Sequence, residues 1–125
     1  MHDSITTTQV RGNGRGKWLG FPTINLAIPD GVSLKEGVYA VRVTIASKQF
    51  QGAMHYGPVP VFKDERIHME VFLIDTADED IPDTSSHDIT VEPVAYLREV
   101  QSFPNAQLLV EQMYRDVNAA REVLQ

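Results

Sequence analysis

Two segments of this chain alternate apolar and polar residues with a period of two, and that alternation limits the fold more than any other feature. In residues 38–45 the apolar side chains are Tyr39, Val41, Val43 and Ile45, with Arg42 and Thr44 between them. In residues 67–74 one face holds Ile67, Met69, Val71 and Leu73, and the other holds His68, Glu70, Phe72 and Ile74. Successive side chains of a strand point to opposite faces, so both segments are predicted to be strands with one face in a core.

Further strands are predicted at residues 6–10, 50–56 and 89–97, between segments rich in Gly, Pro and Asp. Residues 46–49 are typical of a hairpin turn. Pro58 and Pro60 are expected to break the strand ladder after residue 56, and Pro93 indicates an edge strand or a bulge. Helices do not alternate with these strands, so a parallel sheet is not expected.

The period changes in the last twenty residues. Apolar side chains follow helical spacing at Leu109, Met113, Val117, Ala120 and Leu124. The helix is predicted to be capped near Asn105, and its solvent face is predicted to hold Gln112, Arg115, Asp116 and Glu122. Short strands and one terminal helix favour a small β-barrel or sandwich closed by the helix, and 125 residues suffice for one core in a single domain over residues 1–125.

Composition excludes several classes of protein. The chain has no cysteine, which rules out a disulfide scaffold, a thiolate metal site and a cysteine nucleophile. No apolar run approaches the roughly 20 residues of a membrane span, so the expected location is the cytoplasm. The net charge of −6 argues against binding to long polyanions. An acidic stretch at residues 75–92 is interpreted as a solvated loop.

The glycine-rich segment RGNGRGKWLG at residues 11–20 has the composition of a phosphate-binding loop. Glycines let backbone N–H groups approach a ligand closely, and Arg15 and Lys17 add positive charge. The segment is not a Walker loop, because Trp18 stands where Ser or Thr is required, and it is not a dinucleotide fingerprint, because Pro22 follows in place of a helix. A hairpin loop without a ligand is the alternative.

Two neutral oxygens follow that segment. Thr23 and Asn25 stand two residues apart, so on an extended chain they face the same side. Neutral oxygens together with nucleotide phosphates suit Mg²⁺. An Asx or Thr turn after Pro22 is the structural alternative.

Glu70 is the candidate general base. It lies in an otherwise apolar strand and shares its face with Phe72 and Ile74, so it is predicted to lie outside open solvent and able to accept a proton from a substrate hydroxyl. An ordinary exposed strand glutamate is the alternative. The four histidines lack zinc spacing and are interpreted as solvent-facing or polar core residues.

The strings GRGKWLGFPTINL, EGVYAV, HMEVFLID and YLREVQSF, together with the final helix carrying Asp116 and Arg121, resemble the riboflavin kinase domain over residues 8–122. The resemblance implies a six-stranded antiparallel Greek-key barrel with a C-terminal helix. It also implies transfer of the γ-phosphoryl group of ATP to the ribityl 5′-hydroxyl of riboflavin, which gives FMN and ADP.

The same resemblance implies roles for individual residues. Glu70 would be the catalytic base, Thr23 and Asn25 would bind Mg²⁺ and the nucleotide phosphates, and Leu97 and Arg98 would lie near the flavin. The nucleotide would also be bound by Gly14, Gly16, Lys17, Gly20 and Pro22. No nucleic acid or membrane partner is implied, and the adenylyltransferase half of bifunctional relatives is absent from this chain.

Two segments depart from the family pattern. The usual N-x-G-x-R-P-T-F reads HYGPVPVF at residues 55–62, so Val59 and Val61 replace the arginine and the threonine. The usual Tyr-Gly after the acidic turn is missing at residues 81–86. A catalytically weak flavin- or nucleotide-binding relative is therefore an alternative function. An RNA-binding barrel using RGNGRGK is a third, which the net charge disfavours.

Overall fold

A computed structural model of the chain describes residues 4–10, 21–60, 64–85 and 87–125. Strands and one long helix account for most of these residues. In chain order they are β1 Ile5–Thr7, β2 Thr23–Asn25, β3 Gly37–Ile45, β4 Lys48–Val59, β5 Asp64–Ile74, β6 Ile89–Arg98 and α1 Ala106–Leu124.

The six strands form one antiparallel sheet in the order β1-β6-β3-β4-β5-β2. Strands β3, β4 and β5 are consecutive neighbours, and β6 returns by a longer connection to lie beside β3, which is the Greek-key arrangement. The sheet curls into a half-barrel, and the helix α1 follows its last strand, β6, in the chain. The fold implied by the resemblance is therefore confirmed.

The two edges of the sheet meet along a short seam. The N–H of Val10 donates to the carbonyl of Asn25 at 2.8 Å, and the N–H of Ala27 donates to the carbonyl of Thr8 at 2.9 Å. The predicted first strand over residues 6–10 is wrong in its bounds for this reason. Pairing with β6 ends at Thr7, and the chain then crosses to bond with the segment that contains β2.

One face of the sheet forms the interior of the half-barrel. The alternating residues of β3 from Tyr39 to Ile45 are fully buried there, as their spacing predicts. Met69, Val71 and Leu73 of β5 join them, but Ile67 is 41% exposed, so its predicted place in the core is wrong. Ile67 lies beside the irregular pairing that follows Gly57, where β4 no longer holds it against the interior.

The other face of the sheet is covered by α1. Small residues at Ala40 and Ala53 allow the helix to approach, and Phe72 and Ile74 pack beside them. The helix buries Met113, Val117, Ala120 and Leu124 on this face. The side-chain oxygen of Asn105 accepts from the N–H of Leu108 at 2.9 Å, which confirms the predicted cap. The helix therefore covers the second face of the central strands around Ala40 and Ala53.

The prolines have two different effects. Pro58 does not end β4, which continues to Val59, so the predicted break after residue 56 is wrong. A shift in register between Gly57 and Val59 accommodates it, because a bulge leaves a residue out of the ladder and proline has no N–H to donate. Pro93 lies at a register shift between β3 and β6, which confirms the bulge and not the edge.

The acidic segment is exposed at most of its carboxylates before β6, in agreement with a solvated loop. It includes a short 3-10 helix at Asp78–Asp80, and Ile81 anchors the segment by packing against the interior of the half-barrel. Among the described residues, no helix is both long enough and apolar enough to cross a bilayer.

Candidate active site

A row of five side chains crosses the sheet on the face that α1 covers. The pairing register joins Asn25 of β2 to Glu70 of β5, Glu70 to His55 of β4, His55 to Val38 of β3 and Val38 to Arg98 of β6. Residues directly opposite on antiparallel strands have Cβ atoms about 4.5–5.5 Å apart. Glu70 therefore lies between Asn25 and His55 in the sheet, and the three residues share one face.

Thr23 lies next to this row. It pairs with Phe72, two residues from Glu70 along β5, and shares its face with Asn25. Its hydroxyl donates to the carbonyl of Phe21 at 3.3 Å, so the lone pairs of its oxygen face away from that bond. Pro22 is buried, and its carbonyl accepts from the N–H of Leu73 at 2.9 Å, which fixes the start of β2 against β5.

A cleft opens between the row and the first half of α1. Its polar wall includes Glu70, His55 and His68, and its apolar wall includes Val59 and Met113. Glu70 is half-buried, which confirms that it lies outside open solvent. A carboxylate in such a cleft can accept a proton from a bound hydroxyl if that hydroxyl comes within hydrogen-bond distance.

Arg98 lines the same cleft and is held by Asp116 of α1. Its Nε donates to Asp116 Oδ1 at 2.8 Å and its Nη2 donates to Oδ2 at 2.7 Å. The two side chains are only 14% and 7% exposed. The predicted solvent exposure of Asp116 is therefore wrong, because a cation from β6 lies over that part of the helix. The Nε2 of Gln112 also donates to Asp116 Oδ1, at 3.1 Å.

His55 is fixed by its own strand. Its Nε2 lies 2.9 Å from the carbonyl oxygen of Pro58 and 3.2 Å from that of Gly57, so this nitrogen carries the proton and donates to both. Burial lowers the pKa of His55; the two carbonyls oppose this shift, and the nearby guanidinium of Arg98 adds to it. His55 is therefore neutral at pH 7.

Other predicted site residues have different positions. Leu97 packs with the apolar residues beneath α1, one residue before Arg98. Gly14, Gly16, Lys17 and Gly20 lie outside the described residues, as does Val61. Val59 and Pro60 place apolar surface in the cleft, where the family pattern has arginine and proline. No group of three or more His, Cys, Asp or Glu residues with metal-site geometry occurs in the described part of the chain.

Comparison with protein families decides the relationship. The Flavokinase model, described as riboflavin kinase, matches residues 2–124. The chain belongs to the riboflavin kinase family.

Curated relatives of this riboflavin kinase family member include two bifunctional enzymes. This chain is 33% identical over 120 residues to the bifunctional riboflavin kinase/FMN adenylyltransferase of Escherichia coli K12, and the match covers 95% of this chain and 37% of that protein. It is 30% identical over 113 residues to the Haemophilus influenzae protein of the same name, covering 90% of this chain and 35% of the relative. The chain thus spans little more than a third of these relatives.

A solved structure is also similar. A chain described as a macrolide-efflux protein from Streptococcus pneumoniae superimposes with a TM-score of 0.75 and 27% sequence identity. The match covers 94% of this chain and 38% of that chain. It supports the same barrel fold for the family member described here.

Sequence reasoning did not place His55 and Asp116 in the site, although both line the cleft. His55 lacks a metal-site spacing, and only the register between β4 and β5 brings it opposite Glu70. Asp116 falls between Met113 and Val117 on the helix. Its partner Arg98 lies on β6, 18 residues earlier in the chain, and the helical period does not reveal that contact. The available signal for Asp116 was its position beside two residues predicted to be buried.

Proposed function

We propose that this chain transfers the γ-phosphoryl group of ATP to the 5′-hydroxyl of riboflavin, forming FMN and ADP. Membership of the riboflavin kinase family supports riboflavin phosphorylation. The observation that carries the proposal is the pairing of Asn25 with Glu70, which puts the proposed phosphate-side residues and the proposed base on one face, in adjacent strands.

Glu70 would act on the acceptor hydroxyl. From its half-buried position in the cleft it would accept a hydrogen bond from the 5′-hydroxyl and take its proton as the bond to phosphorus forms. Phosphoryl transfer depends mainly on positioning and on neutralising charge. The contribution of Glu70 is therefore orientation first and proton acceptance second.

Thr23 and Asn25 are the residues that would hold Mg²⁺. The proton of the Thr23 hydroxyl is used in its bond to Phe21, so its oxygen is available as a ligand, and Asn25 offers an amide oxygen on the same face. Two neutral oxygens from the protein suit a cation that takes its remaining ligands from phosphates and water. When bound, Mg²⁺ would neutralise charge on the phosphates. Gly14, Gly16, Lys17, Gly20 and Pro22 are proposed to complete the nucleotide site.

The apolar side of the cleft would take the flat ring system of the flavin. Met113, Leu109 and Phe103 supply apolar surface, and the guanidinium carbon of Arg98 lies 5.9 Å from the centre of the Phe103 ring. Arg98 is fixed by Asp116 and therefore forms a rigid wall. An apolar slot with a few polar groups at one end is typical of sites for small planar ligands.

The direct test is incubation of the chain with riboflavin, ATP and Mg²⁺, followed by chromatographic separation of FMN from riboflavin. FMN formed in proportion to enzyme and time supports the kinase. A second candidate function, binding without efficient turnover, is favoured by Val59, which gives the cleft an apolar side chain where the family pattern has arginine. Saturable riboflavin binding without FMN would support that candidate and contradict the proposed activity.

Replacing the proposed metal ligands should weaken nucleotide binding. Asn25→Ala is expected to raise the Kd for ADP in the presence of Mg²⁺ by roughly 10- to 100-fold, the usual worth of a hydrogen bond or ligand to a charged group. Isothermal titration measures the change. Thr44→Ala is the matched control, because Thr44 lies at the far end of β3. Equal Kd values for Asn25→Ala and Thr44→Ala would contradict the assignment.

A further inference from the structure

Two segments from strands that are not neighbours line the same cleft. One is the end of β4 with the residue after it, at residues 57–60, and the other follows β6, at residues 99–103. The first segment adds Val59 to the cleft, and the second adds Phe103. Because β3 lies between β4 and β6, the described residues form no ladder of hydrogen bonds between the two segments.

The two segments meet at Gly57. β3 begins at Gly37, opposite Tyr56, so β4 has no neighbour in β3 beyond that point. A β-carbon built on Gly57 would lie 3.0 Å from Cγ2 of Val100 and 3.3 Å from Cβ of Glu36. Gly57 is buried and Val100 is half-buried. The side chain of Val100 therefore packs against the α-carbon of Gly57, in the space that a larger residue would fill.

The other contacts at the start of the second segment do not reach β4. Nη1 of Arg98 donates to the carbonyl of Glu99 at 2.9 Å, which is a bond within the segment's own end of the chain. Nζ of Lys35 lies 3.5 Å from a carboxylate oxygen of Glu99, and these side chains are 66% and 74% exposed. Such an exposed pair contributes about 0–1 kcal/mol. The packing of Val100 on Gly57 is therefore the contact here that joins the second segment to β4.

We infer that Gly57 and Val100 are positioning residues for the flavin, because their contact sets the separation between Val59 and Phe103 in the cleft. This inference rests on the proposed function. A flat ring system is rigid, and a slot that already has the right width before binding loses little free energy on ordering. The contact is thus expected to affect binding of the ring and not binding of the nucleotide.

The experiment uses three variants and one control. Gly57→Ala adds a methyl group that meets Val100, Val100→Ala removes the contact, and the double variant removes the obstacle to the added methyl group. Gly31→Ala is the control for backbone strain, since Gly31 has a φ of +83° with nothing within 4 Å of a β-carbon, whereas the φ of Gly57 is +141°. Val100→Ala tests the inference by itself if Gly57→Ala does not fold.

Three ligands separate the possible effects. Quenching of flavin fluorescence gives the Kd of riboflavin and that of lumiflavin, which has the same ring system with a methyl group in place of the ribityl chain. Isothermal titration gives the Kd of ADP with Mg²⁺. A loss that concerns the slot for the ring is equal for the two flavins and absent for ADP.

Val100→Ala is expected to raise the Kd of both flavins by roughly 3- to 10-fold. Gly57→Ala is expected to raise them by roughly 10- to 100-fold, the usual cost of an added methyl group in a packed contact. The double variant should bind flavin as Val100→Ala does. Gly31→Ala should bind as the wild type does, and the Kd of ADP should stay the same throughout.

Wild-type flavin binding in Val100→Ala would overturn the inference. A double variant that binds no better than Gly57→Ala would also overturn it, because backbone strain would then be the cause. An equal loss of ADP binding would show general damage to the fold and would overturn it as well. These outcomes leave the kinase intact if the wild-type chain forms FMN. A wild-type chain that binds neither flavin would remove the proposed function together with the inference.

Discussion

Glu70→Gln is expected to lower kcat by roughly 10²- to 10⁴-fold, the usual contribution of a positioned general base. Glutamine keeps the size and one acceptor oxygen of the side chain and cannot take the proton. The Kd for ADP with Mg²⁺ should change little, because the proposed ligands Thr23 and Asn25 remain. Single-turnover formation of FMN, together with titration of ADP, separates the two quantities.

Glu92→Gln is the matched control, because Glu92 is an exposed strand glutamate on β6. It should retain the wild-type rate. A Glu70→Gln variant that turns over as fast as Glu92→Gln would show that Glu70 is not the base. A loss of ADP binding equal to the loss of rate would show instead that Glu70 belongs to the nucleotide site.

Asp116→Ala is expected to lower the free energy of unfolding by roughly 3–5 kcal/mol, because it leaves the guanidinium of Arg98 buried without its partner. Denaturation with urea measures the change. The double variant Arg98→Met with Asp116→Leu should recover most of the stability, since replacing both charges removes the unpaired ion. A double variant as unstable as Asp116→Ala would show that the loss comes from packing and not from the orphaned charge.

The chain contains a matched surface pair for comparison. Arg121 of α1 donates to both carboxylate oxygens of Asp75 at 3.1 Å, and the side chains are 35% and 66% exposed. Exposed pairs contribute about 0–1 kcal/mol, so Asp75→Ala should be nearly neutral. Both pairs join an arginine to an aspartate between α1 and the sheet, and they differ chiefly in burial. If Asp75→Ala and Asp116→Ala lower the free energy of unfolding by similar amounts, burial of the Arg98–Asp116 pair is not the cause of the loss.

The strands and the helix could be predicted because their signals are local. The alternation in β3 and β5 reflects which side chains enter the interior. The cap at Asn105 depends on a hydrogen bond from the N–H of Leu108, only three residues away. The end of β4 was predicted wrongly because a bulge at Pro58 is decided by the pairing with β5, which the hairpin sequence alone does not show.

The site could be predicted only in part, for the same reason. The motif residues Thr23, Asn25 and Glu70 could be named from their chemistry and from the family resemblance. Their juxtaposition depends on β2 pairing with β5, across more than forty residues of chain. The burial of Asp116 depends on Arg98 arriving from another strand. Contacts between segments that are distant in the chain produce no periodic pattern in the sequence, so they cannot be predicted from it.

The pairing of β1 with β6 has a consequence for synthesis on the ribosome. Ile5 finds its partner Val91 only after more than eighty further residues have been made, and Thr7 pairs with Ile89. The first strand must therefore wait, unpaired, until β6 leaves the exit tunnel. Because such long-range pairing is slow to form and leaves strand edges exposed meanwhile, β1 is the strand of this sheet that stays unpaired longest during synthesis.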